Sequence, residues 1–175
     1  MSQLVAEGWD IISPVPSCTL QFKQELPLMY LDEQQVVQVQ KSMFDPFEYL
    51  MLRHKAGLIK VDFKQSPGKV SYHVACHQRV QRIGLKTKEF ISLIEGTEID
   101  VIERCSGHDG TYTFKKEFHD SAMKIGRPVV NRVKKAEPDV YTSDCPMAGH
   151  HISAGLDDGT DSIHPITLIR KAYGI

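Results

Sequence analysis

Three cysteines each follow a short apolar, β-rich segment: VSYHVA before Cys76, EIDVIER before Cys105 and DVYTSD before Cys145. Intervals of 28 and 39 residues separate them, about one strand-plus-helix unit each. A thiolate is a soft metal ligand, a nucleophile or a redox centre. Cys76-His77 sets a strand-end thiol beside an imidazole, which suits a metal ligand or a thiolate stabilised by a neighbouring cation; the alternative is a solvated histidine next to a buried cysteine. Glu103-Arg104-Cys105-Ser106-Gly107-His108-Asp109-Gly110-Thr111 is richer. Gly107 and Gly110 let backbone approach a bound group, and a helix start beyond them offers N–H donors to an anionic cluster, thiolate or phosphate. Phosphatase chemistry at Cys105 requires an arginine six residues on, where Thr111 stands, and the Lys-Ser/Thr ending of a nucleotide loop is absent. In Asp144-Cys145-Pro146-Met147-Ala148-Gly149-His150-His151, Pro146 suits a first helical turn and sets Cys145 near the N-cap. His150 and His151 are adjacent, so at most one faces a common site. Cys18 lies apart. Val15-Pro16-Ser17-Cys18 and Cys145-Pro146-Met147-Ala148 each keep one end of a Cys-Pro-x-Cys template, which suggests an internal duplication.

The elements that must position these thiols read as follows. Met1–Glu7 has the pattern of a helix end closed by Gly8, Trp9–Ser13 that of a strand, and Leu31–Gly57 that of a helix interrupted at Pro46. Strands are expected over Val70–Ala75, Glu98–Arg104 and Asp139–Thr142, and helices over Arg79–Ile94, Thr111–Ile125, Pro128–Ala136, Pro146–Gly155 and Pro165–Gly174. The alternation is βαβαβ, hence an α/β fold: an open, mostly parallel sheet with helices on both faces, plus an incomplete N-terminal α/β piece. The expected domains are 1–62, the remnant of a first unit, and 63–175, a second unit. Right-handed crossovers put all strand ends on one side, where ligands bind in such sheets. Cys76, Cys105 and Cys145 are therefore expected to converge. His54, His73, His119 and His164 are read as structural or solvated, and Tyr112, Phe114 and Phe118 as core. The apolar faces of Trp9–Ser13 and Phe44–Leu52 are expected to stay partly exposed.

Composition bounds the function. The 175 residues carry 21 Lys+Arg against 22 Asp+Glu, a net charge of −1, so no broad basic field invites nucleic acid. No apolar run reaches the roughly 18 residues of a membrane helix. Met1–Asp10 lacks the basic start and apolar core of a secretory signal. Four scattered cysteines are too few for a disulfide scaffold and point to metal or redox chemistry in a reducing compartment.

The stretches ACHQRVQRIG (75–84), IERCSGHDGTYTFKKEFHDSAMKIGRPV (102–129) and SDCPMAGHHI (143–152) closely resemble the cysteine-rich "CCG" iron–sulfur proteins. That group includes the heterodisulfide reductase B subunits and the C-subunit branch of anaerobic glycerol-3-phosphate dehydrogenases, the nearer match. PVPSCTLQFKQELPLMY (14–30) and FDPFEYLMLRHKAGL (44–58) look like the end of a first such domain. The resemblance implies an electron-transfer component rather than a stand-alone catalyst, holding an iron–sulfur cluster of the [4Fe–4S] type. It also implies a flavoprotein dehydrogenase partner, a quinone or thiol acceptor, and a missing N-terminal half with ferredoxin and cysteine-rich modules. The place implied is cytoplasmic, or peripheral on the inner face of the cell membrane beside a quinone-linked partner. Carried over residue by residue, Cys76 matches the family's lone cysteine. Cys105 and Gly107 match the outer positions of Cys-Cys-Gly, with Ser106 in the middle. Cys145 opens Cys-Pro-x-Cys, with Ala148 closing it. Five thiols become three, whereas such a cluster normally takes four. The candidate fourth ligand is His108, His77 or His150; Gly107, His108 and Gly110 are the candidate cluster-cradling residues, and Cys18 belongs to the other half-site. The competing readings are a Cys₃His zinc domain and a truncated remnant that binds no metal.

Overall fold

The computed structural model describes residues 1–175. The chain forms two compact units: Met1–Lys60 with His77–Lys86, and Val61–Cys76 with Thr87–Ile175.

In the first unit, β1 (Ile11–Ile12) and β2 (Met43–Phe44) pair in parallel, Ile11 opposite Met43. Helix α1 (Ser2–Ala6) precedes them. The strand expected over Trp9–Ser13 is shorter because two prolines follow. Pro16 opens α2 (Pro16–Leu20), which passes through a π-helical stretch, Gln21–Glu25, into α3 (Leu26–Met29). The helix expected over Leu31–Gly57 is two helices, α4 (Gln34–Ser42) and α5 (Pro46–Lys55), with β2 between them. A capping box restarts the second. The Asp45 carboxylate accepts from the N–H groups of Phe47 (2.9 Å) and Glu48 (3.2 Å), and Glu48 accepts from the Asp45 N–H (3.2 Å). Such a cap contributes about 0.5–2 kcal/mol. Burial pushes the Asp45 carboxyl above the usual carboxylate range. Lys23 meets Glu48 at 2.6 Å. Phe47 and Met51 are buried and Phe44 and Leu50 half-buried, while Leu52 and Trp9 face solvent, so the apolar faces of 9–13 and 44–52 are partly exposed.

The second unit is the expected open parallel sheet. Strands β3 (Lys69–His73), β4 (Glu98–Ile102) and β5 (Val140–Ser143) lie in the order β4-β3-β5, both pairings parallel. The central strand is buried from Val70 to His73, as a strand covered on both faces must be. At its start, Asp139 clasps Lys69 twice. Its carboxylate accepts the Lys69 N–H, and its own N–H donates to the Lys69 carbonyl, each at 2.8 Å.

The crossovers depart from the sequence pattern in instructive ways. Arg79–Ile94 is two short helices, α6 (Cys76–Val80) and α7 (Lys86–Ile91), because Arg82 and Gly84 take positive φ between them. Thr111–Phe118 holds two 3₁₀ turns rather than an α-helix. Tyr112 stacks on Phe118 there, centroids 4.7 Å apart, and Phe114 and Phe118 are exposed rather than core. Helix α8 (His119–Ala136) is continuous through Gly126, with Pro128 on its exposed side. Helices α9 (Pro146–Leu156) and α10 (Pro165–Ala172) follow β5. The core joins Ile102 of β4 and Tyr141 of β5 to Val129, Val130 and Val133 of α8 and to Ile152 and Leu156 of α9. No helix is long and apolar enough to cross a membrane.

This packing is checked by truncation. Ile102 is fully buried, whereas Ile125 on α8 is 49% exposed. Ile102→Ala is expected to cost about 2–5 kcal/mol and Ile125→Ala within about 0.5 kcal/mol, read by urea denaturation.

Candidate metal centre at the strand ends

The register sets the site. His73 of β3 lies level with Ile102 of β4 and with Ser143 of β5. All three strands are parallel, so their carboxyl ends share one edge. Cys76 follows three residues beyond this level, Cys105 three and Cys145 two. Their local settings differ. Cys76 opens α6, Cys105 lies in an irregular turn, and Cys145 is the extended N-cap of α9, with Pro146 next. None of the four cysteines is in a disulfide; Cys76 and Cys105 are exposed and Cys145 half-buried.

Buried polar groups stiffen this edge. Tyr72 donates to one Asp144 oxygen at 2.5 Å and Thr87 to the other at 2.7 Å, with all three side chains buried. His73, 1% exposed, has Nδ1 3.0 Å from Ser143 Oγ and Nε2 3.0 Å from the Arg104 carbonyl. Ser143 Oγ accepts the Cys145 N–H at 3.4 Å. Thr142 donates to the Ile163 carbonyl at 2.7 Å. The sequence pattern casts His73 as structural and does not single out Tyr72, Thr87, Ser143 or Asp144. The available signal is polar residues interrupting apolar strands just before a cysteine.

The Cys105 loop is held by close backbone approach. Gly107 has φ +85°, and a Cβ there would overlap the Ala122 carbonyl and reach Gly126 N at 2.9 Å. A Cβ on Gly126 would overlap the Ser106 carbonyl. The two glycines therefore seat the loop directly on α8. Gly107 N–H donates to Cys105 Sγ at 3.4 Å, a contact that withdraws charge from the sulfur. The Ser106 hydroxyl is turned inward, 6% exposed, and accepts the His108 N–H at 3.3 Å. Gly110 also has positive φ, with open space beside it.

The candidate histidines are dispersed. His108 Nδ1 is 2.9 Å from Thr113 Oγ1, and its ring meets Phe114 edge-on. His150 is exposed on α9, and His77 belongs to the first unit, as does Cys18, exposed on α2. His151 Nε2 is buried near Gly126 with no hydrogen-bond partner. Burial pulls its pKa below the usual histidine value, opposed in part by the nearby Ala122 carbonyl. No three His, Cys, Asp or Glu side chains are gathered as a set that could hold a metal ion. The topology thus brings Cys76, Cys105 and Cys145 to one edge, while the differing loops leave their side chains ungathered.

Three thiols stand along this edge without being gathered, and the neighbouring motif positions Ser106 and Ala148 add none. Ser106 is engaged as a loop cap, and Ala148 is buried without donor chemistry. The seating of the loop is open to test. Gly107→Ala combines overlap with a disfavoured φ, and is expected to cost about 2–5 kcal/mol. Gly159→Ala, with a similar φ and open space, should cost about 1–2 kcal/mol. Chemical denaturation of both variants gives the comparison.

Residues 70–153 match the cysteine-rich domain family CCG. Two curated relatives are the C subunits of anaerobic glycerol-3-phosphate dehydrogenase from Escherichia coli K12 and from Escherichia coli O157:H7. Each is 29% identical over 172 residues, 95% of this chain and 41% of the relative. The chain thus spans about two fifths of the length of the curated relatives it matches. Residues 70–153, with their three strand-end thiols, are thus similar to the cysteine-rich domain family, within a chain similar along nearly its whole length to the C subunit of anaerobic glycerol-3-phosphate dehydrogenase.

Proposed function

We propose that this chain is an iron–sulfur electron-transfer module of a multi-subunit oxidoreductase. It takes electrons from a flavoprotein dehydrogenase of the glycerol-3-phosphate type and passes them to a quinone or thiol acceptor. The observation that carries the reading is the placement of Cys76, Cys105 and Cys145 just beyond three level, parallel strand ends, inside the segment that matches the cysteine-rich domain. Similarity to a dehydrogenase C subunit supports the oxidoreductase context and the partner subunits. The three cysteines would hold the cluster, with a histidine such as His108 as the non-thiolate ligand. When bound, a cluster of the [4Fe–4S] type supplies one-electron transfer. The chain's own residues do the rest. The buried pairs Tyr72–Asp144 and Thr87–Asp144 fix the backbone that leads into Cys145. Gly107 N–H moderates the charge on Cys105 Sγ, and the glycine contacts with α8 hold that loop.

A second reading is a domain that keeps the fold and has lost the cluster. It is favoured by the ungathered ligand side chains and by Ser106 and Ala148 where the cysteine-rich motifs place thiols.

Purification and reconstitution without oxygen, with iron and sulfide analysis and visible absorption, tests the proposal. The expected outcome is a brown protein that is bleached by Cys105→Ser and unchanged by Cys18→Ser. Zinc in a colourless protein would indicate a Cys₃His site instead. A colourless protein with neither metal, or equal bleaching by both substitutions, would overturn the assignment.

A further inference from the structure

The two cysteine loops on either side of the central strand share one buried link. His73 ends β3, and its ring spans from β5 to the exit of β4: Nδ1 to Ser143 Oγ and Nε2 to the Arg104 carbonyl, each at 3.0 Å. A carbonyl oxygen only accepts, so Nε2 carries the proton. In the neutral ring Nδ1 then holds the lone pair and receives the Ser143 hydroxyl. The lone pairs of Ser143 Oγ in turn accept the Cys145 N–H at 3.4 Å. One directional chain of hydrogen bonds results, from the Cys145 amide through Ser143 and His73 to the carbonyl preceding Cys105. Each terminus abuts a cysteine, and the ring and Ser143 are both buried at 1% exposure, where such bonds are strong and costly to break.

We propose that His73, as its Nε2–H tautomer, is a positioning residue that fixes the spacing between the Cys105 and Cys145 loops. This rests on the reading that the strand-end thiols act together. A histidine suits the task because its two nitrogens lie on opposite sides of a rigid ring. Asparagine reproduces a polar group near Nδ1 only, and glutamine near Nε2 only. The two substitutions therefore cut different arms of the link.

The test is amide hydrogen exchange by NMR on the full chain, metal-free and reduced. The Gly107 and His108 amides report the Cys105 loop, and the Cys145 and Gly149 amides report the other. His73→Asn is expected to speed exchange of the first pair by about 3- to 10-fold, the range of one ordinary hydrogen bond, leaving the second pair little changed. His73→Gln should do the reverse. A merely structural role would loosen both loops alike in both variants, and that outcome, or no change in either, overturns the proposal. If neither variant folds, the ¹⁵N shifts of the wild-type ring decide. A protonated Nε2 with an unprotonated Nδ1 supports the link, and the opposite tautomer refutes it. No metal enters the measurement, so loss of the iron–sulfur reading would leave this result standing, and the reverse.

Discussion

Parallel pairing at a common register is the constraint on which the site depends. With His73, Ile102 and Ser143 level, all three strands release their chains at one edge. The central strand is buried to its end, and buried polar groups must be paired. The strand ends meet that demand with side chains. Tyr72, His73, Thr87, Thr142, Ser143 and Asp144 are buried and hydrogen-bonded beneath a row of accessible thiols. The cysteines sit on short exits, and the hydrogen-bonded polar layer lies below them.

Helix α8 supplies the second constraint. It packs on β4, β5 and α9 through Val129, Val130 and Val133, and it carries Gly126 at the point where the Cys105 loop descends on it. Reciprocal contact between Gly107 and Gly126 leaves no room for a Cβ on either side. Core packing and loop position are thereby one problem, since displacing α8 moves the backbone around Cys105.

Ser106 and Ala148, beside Cys105 and within α9, each settle into local packing. Ser106 closes its own turn by accepting the His108 N–H, so a hydroxyl does structural duty at the middle position. Ala148 is 4% exposed within α9, a small residue absorbed into helix packing. Neither leaves a buried polar group without a partner. Both positions are thus absorbed into local packing, and the fold at this edge does not depend on a thiol at either one.

The open parallel sheet was legible in the sequence because period-2 apolar segments, glycine turns and amphipathic stretches each reflect local backbone preference. The same signals located the three exits occupied by Cys76, Cys105 and Cys145 and the Pro146 start of α9. Other features depended on partners remote in sequence. Gly126 reads as a helix break, yet it lies mid-helix because the Ser106 carbonyl needs its missing Cβ. Tyr112, Phe114 and Phe118 read as a core stripe, but 3₁₀ geometry removes the helical face that would bury them. His73 reads as one more strand residue. Its bridge exists only because register brings Ser143, 70 residues on, and Arg104, 31 residues on, to its two nitrogens. Sequence by itself determined which residues reach the edge, since strand length and turn chemistry are local. Only tertiary structure decided how that edge is braced and where each side chain lies, because those depend on hydrogen bonds and close contacts between segments far apart in the chain.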